Sequence, residues 1–198
     1  SIVDWLARDD GELDAALVFD GGMVERDVPA FNIAVRGLVY LHVTVRTGGR
    51  DLHSGIYGGA SLNAMHALVQ ALEGVLPQDG RVPEALREGV VPPSAEELAG
   101  WEELPRGAAE LEAAASMPAD GRAAEEFYLR TWGEPSVDVH GIEGGSPVLQ
   151  KTVIPVEARA NVSIRLVGDQ DPDLIAATFE RLLREAVPAG AELAVERW

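Results

Sequence analysis

Cysteine is absent from this 198-residue sequence, so disulfides and thiolate metal sites are excluded. No apolar run approaches the roughly 20 residues that a membrane-spanning helix needs, and no basic segment opens the chain as a leader would. Positive charge is scarce: 16 Lys and Arg face 33 Asp and Glu, a formal net charge of -17. A nucleic acid or an anionic membrane would repel such a chain, so neither is expected as a partner. A soluble, cytoplasmic protein is the expectation. What is present is a 46% hydrophobic composition, enough for the core of one domain with an embellishment. The sequence starts at Ser1 without a methionine and stops at Trp198 just after a strand-like "AELAVERW". Processing or excision from a longer protein would each produce such ends.

Hydrophobic periodicity marks the elements. "GLVYLHVTVRT" (37 to 47) alternates, with Val39, Leu41, Val43 and Val45 on one face, which predicts a half-buried strand. A glycine-rich loop follows, and then a helix capped by Ser61 with Leu62, Met65, Leu68, Val69, Leu72 and Leu76 at helical spacing. "PSVDVHGIEGG" (135 to 145) predicts a strand running into a glycine loop. "TVIPVEARANVSIRLVG" (152 to 168) predicts one long strand, with Asn161, Ser163 and Arg165 on its polar face. Asp171 before Pro172 is an N-cap followed by proline at the first helical position, and Gly190 is the expected stop. From Pro77 to Glu126 twelve acids face four arginines, which suits a solvated insertion of short helices; we place it at 77–130. Without that insertion and the first 35 residues, the order is strand, helix, strand, strand, helix, strand. This predicts an α+β, ferredoxin-like β-α-β-β-α-β domain: an antiparallel four-stranded sheet with two helices on one face. Its open edges favour a homodimer joining two sheets, with the first helix beside its symmetry mate.

Few residues invite chemistry. His42 and His66 are isolated and read as structural, while His140 before Gly141 reads as a strand end whose side chain bonds a loop. His53 is held on a glycine loop from which it can donate to an anion. Arg165 places a guanidinium in mid-strand, where it needs an acid, water or a ligand carboxylate. Thr152 by itself is a plain strand-start threonine.

"DLHSGIYGG", "HGIEGG", "KTVIP" and "SIRLVG", in this order, resemble the lid or dimerisation domain of the carnosinase-like di-zinc metallopeptidases. That family also contains aminoacylase, acetylornithine deacetylase, succinyl-diaminopimelate desuccinylase and the glutamate carboxypeptidases, and the motifs point to its dipeptidase branch. The resemblance implies that His53 reaches the partner subunit's active site and stabilises the oxyanion there. It implies that Thr152 also crosses the dimer to the substrate, and that Arg165 binds a terminal carboxylate. Gly55, Gly58 and Gly59 would permit close approach of the loop. "ALVFDGG" resembles the end of the catalytic domain, which makes Asp20 a metal ligand and residues 1–35 a tail leading into a lid at 36–198.

The resemblance therefore implies a zinc-dependent hydrolase of dipeptides or small N-acyl amino acids, with metal-activated water attacking the peptide carbonyl. Two zinc ions, or manganese or cobalt, belong to the full-length enzyme, and none is expected on this segment. A catalytic zinc needs about three protein ligands, and Asp20 alone cannot hold one, so the segment by itself is expected to be inactive. "GIEGGSPVLQKTVIP" departs from the family pattern at Ser146-Pro147, in the loop that delivers Thr152. The alternative is a free-standing ferredoxin-like module that binds a small ligand or a protein and has no activity.

Overall fold

The computed structural model describes residues 34–198, and the chain divides after Val35 into two units, of which Arg36–Trp198 is the larger. Its elements run β1 (Gly37–Arg46), β2 (Leu52–His53), α1 (Ser54–Tyr57), α2 (Ala64–Glu73), α3 (Ala95–Glu102), α4 (Gly107–Ala113), β3 (Ser136–Glu143), β4 (Val153–Ile154), β5 (Glu157–Leu166), α5 (Pro172–Ala186) and β6 (Glu192–Arg197). A 3-10 turn at Glu84–Arg87 and a π-helical turn at Leu129–Gly133 complete the segment between α2 and β3.

The main sheet has the order β3-β5-β1-β6 with every neighbouring pair antiparallel. Two interleaved β-α-β units produce this order, so the expected ferredoxin-like fold is borne out. β1 and β5 are the central strands, paired from Gly37↔Leu166 to Arg46↔Glu157. Their apolar faces (Val39, Leu41, Val43 and Val45; Ala158, Ala160, Val162, Ile164 and Leu166) are buried under Ala67, Leu68, Ala71 and Leu72 of α2 and Ile175, Phe179 and Leu183 of α5. Each large side chain fully buried here contributes roughly 1.5–3 kcal/mol relative to exposure.

Several boundaries differ from the sequence reading. Asn63, not Ser61, caps α2, accepting from the backbone of Met65 and His66. Its side chain lies closer to the first apolar turn. Leu62 and Val69 are consequently exposed, Val69 by 56%, and the inward face is built from small alanines. Asp171 caps α5 with proline in the first turn as expected, but the helix ends before Val187 and not at Gly190, because Pro188 cannot continue it. The long strand expected over 152–168 is broken at Pro155-Val156 into β4 and β5, since Pro155 has no donor for a ladder. β3 does not end at His140; a register shift between Val139 and Gly141 carries it on to Glu143. In the acidic segment, Ser94 and Glu97 form a capping box at the start of α3. No described helix is long and apolar enough to cross a membrane.

Candidate functional site

β2 and β4 form a two-residue ladder apart from the main sheet, with Leu52 opposite Ile154 and His53 opposite Val153. Two polar clamps set it against the central strands. The Val156 N–H donates to Asp51 Oδ1 at 3.2 Å, and the Thr47 N–H donates to the Val156 carbonyl at 2.9 Å. The Ser54 N–H donates to the Thr152 carbonyl at 2.9 Å, which locks the start of α1 to the residue before β4. This ladder brings His53 and Thr152, 99 positions apart in sequence, to within 3.5 Å between Nε2 and Oγ1. Both residues are exposed.

Glycine is needed around this histidine for close approach. A Cβ at Gly58 would lie 2.4 Å from the Ser54 carbonyl, which accepts the Gly58 N–H at 2.8 Å. Gly59 follows at φ +82°, a left-handed conformation that favours glycine. Two donors 3.5 Å apart can both reach one oxygen about 2.8 Å from each, the spacing an oxyanion site requires.

Arg165 lies elsewhere. It sits on β5 opposite Leu38 of β1 and Ser136 of β3, at the far end of the central pair from Glu157. The eight residue steps from Glu157 to Arg165 span about 26 Å of extended strand. The His53 ladder is anchored at the Glu157 end, so one small substrate cannot touch His53 and Arg165 of the same chain. The Arg165 guanidinium is exposed and makes no ion pair among the described residues. It has a cationic neighbour that sequence reasoning missed. Burial first, and then the charge of Arg165, hold Arg36 below its ordinary value, while Asp138 acts in the opposite sense. Arg36 Nη2 donates to the Glu134 carbonyl at 2.9 Å and to Ser136 Oγ at 3.3 Å. Two cations thus lie near each other, Arg36 with Asp138 as a nearby carboxylate, an arrangement suited to a ligand carboxylate. Arg36 stands one residue before β1 and comes beside Arg165, on the neighbouring strand, only once the sheet has formed.

His66 is an exposed residue of α2, whereas His42 and His140 serve the open face of the sheet. His42 Nδ1 meets Asn161 Oδ1 at 2.7 Å. His140 bonds Ser163 Oγ at 2.7 Å, not a loop, and stacks on Tyr40 with ring planes 7° apart. That cover explains why Ser163, on the polar side of β5, is only 4% exposed. Among the described residues no group of three or more His, Cys, Asp or Glu is placed to hold a metal ion. Asp20, the expected ligand, lies outside the described residues.

The interleaved β-α-β sheet is shared with solved structures of related peptidases, and residues 33–191 match the peptidase dimerisation domain family. The chain belongs to it, and so to a family of hydrolytic enzymes. It is 29% identical over 172 residues to the Cys-Gly metallodipeptidase DUG1 of Saccharomyces cerevisiae, covering 85% of this chain and 36% of the relative. It is 28% identical over 178 residues to the Beta-Ala-His dipeptidase of Homo sapiens, covering 87% of this chain and 35% of that protein. Among solved structures, the dipeptidase Dug1p of Saccharomyces cerevisiae superposes with a TM-score of 0.70 at 28% identity, over 82% of this chain and 35% of that one. Human carnosine dipeptidase 1 gives a TM-score of 0.67 at 26% identity, over 81% and 36%. The chain spans about a third of the length of the curated relatives it matches. The expected resemblance is borne out, and the alternative of a free-standing ferredoxin-like ligand-binding or protein-interaction module with no activity is not favoured.

Proposed function

We propose that this chain is the lid and dimerisation domain of a cytoplasmic, metal-dependent dipeptidase whose substrate carries a free carboxylate, and that it works as a homodimer. The observation that carries the reading is the separation of two ligand-binding groups. His53 and Thr152 form a paired donor site at one end of the domain, and Arg165 offers a carboxylate site at the other. One substrate can use both only if each protomer supplies one end. His53 and Thr152 then reach from one subunit to the scissile carbonyl oxygen, while Arg165 of the other holds the terminal carboxylate by its planar fork. The surface supports such pairing. Ile56, Leu62 and Val69 are exposed beside α1 and α2, and the outer edge of β3 is unpaired among the described residues.

A metal would supply the nucleophile in such an enzyme, proposed as two zinc ions with manganese or cobalt as alternatives. The described residues do not make up a metal centre, and Asp20 would contribute from outside them. What the described residues do is bind, orient and stabilise charge. In the enzyme containing this domain, His53→Ala is expected to lower kcat roughly 10²–10³-fold with little change in KM. Unchanged turnover would remove His53 from the reaction.

A further inference from the structure

We infer that Gly55 is a positioning residue that fixes His53 in a single tautomer, with the ring proton on Nε2 and directed at Thr152. Its consequence for catalysis rests on the function proposed above; the tautomer itself does not. A backbone N–H can only donate, and the Gly55 N–H meets His53 Nδ1 at 2.9 Å. While that bond holds, Nδ1 carries no proton and the ring's proton resides on Nε2. Nε2 is the nitrogen 3.5 Å from Thr152 Oγ1, so the hydrogen it carries is on the side of the ring where an oxygen shared with Thr152 would be bound.

Residue 55 must also be small. A Cβ there would lie 2.9 Å from His53 Cε1 and 3.1 Å from Nδ1, although no positive φ demands glycine at this position. The glycine is therefore required by the imidazole and not by the turn. Plain capping does not call for a histidine. His53 is the N-cap of α1, and asparagine or aspartate would satisfy the same N–H at least as well. What histidine adds is a second nitrogen on the far side of the ring, with its proton held in place by the cap.

The test is long-range proton–nitrogen NMR on the ring-labelled 198-residue chain, with the His53 signals assigned by their loss in His53→Asn. The expected result is an unprotonated Nδ1 and a protonated Nε2 at His53. Gly55→Ala should replace this with mixed or averaged tautomers while leaving the signals of His140, on the open face of the sheet, in place. A proton on Nδ1, or two tautomers in rapid exchange in the unsubstituted chain, overturns the inference. So does a Gly55→Ala spectrum that keeps the single tautomer. In the enzyme containing this domain, Gly55→Ala should lower kcat roughly 10–100-fold with KM within about twofold. If the tautomer is as stated but His53→Asn leaves turnover intact, the proposed function falls and the tautomer assignment stands.

Discussion

Separating His53 from Arg165 by the length of a central strand makes an unusual prediction about mixed dimers. If each active site takes His53 from one subunit and Arg165 from the other, His53→Ala and Arg165→Ala homodimers are both impaired at every site. In a mixed dimer the two lesions fall together on one site, and the other site is wholly intact. Random pairing of equal amounts makes half of the dimers mixed, each with one good site of two, so about a quarter of the unsubstituted activity should reappear. The assay is dipeptide hydrolysis by the enzyme containing this domain, with the two variants first mixed under conditions that allow subunit exchange and each variant alone as the baseline. Were both residues drawn from one chain, every site in a mixed dimer would carry one lesion and no activity would return. Failure to recover activity, with exchange verified by tagged subunits, would refute the geometric reasoning.

Two further predictions concern the scaffold. Gln170 is 7% exposed and joins three backbone groups: its Nε2 donates to the carbonyls of Leu86 and Glu88, each at 3.0 Å, and its Oε1 accepts from Val167 at 3.2 Å. Gln170→Met keeps the volume but strands all three, so urea unfolding should show a loss of roughly 3 kcal/mol, about 1 per group; a loss under about 1 kcal/mol would refute this bookkeeping. In the acidic segment between α2 and β3, hydrogen bonds from Arg130 and the Arg122 backbone lower Asp120 to about 2. Its folded value lies below its unfolded one, so its contribution is present above about pH 4 and is lost as pH falls toward 2. NMR titration should find that low midpoint, and Arg130→Gln should raise it.

The fold was legible because β1 and β5 alternate cleanly and Asp171-Pro172 announces a helix start. Errors arose where two local signals competed. Ser61 and Asn63 both suit a cap, and Pro155 interrupts a run whose alternation otherwise looks continuous. Ser163 was read as surface because strand alternation cannot reveal that His140 and Tyr40 lie across it. The pairing of His53 with Thr152 was readable only through family likeness, since no spacing rule links residues so distant in sequence. Gln170 gave no signal, because its three partners are backbone atoms from two separate segments. The π-helical turn at Leu129–Gly133 was equally unforeseen.

The ladder that carries His53 and Thr152 is two residues long on each side and closes a loop of about a hundred residues. The central β1–β5 pairing closes a still longer loop but returns ten residue pairs for it, and once it has formed the neighbouring ladder adds only two. The β2–β4 pairing should therefore form after the central β1–β5 sheet and be the first to open in native-state hydrogen exchange, its amides exchanging well before those of Val43 or Val162. A brief rupture there would release the two donors and leave the core of the domain standing.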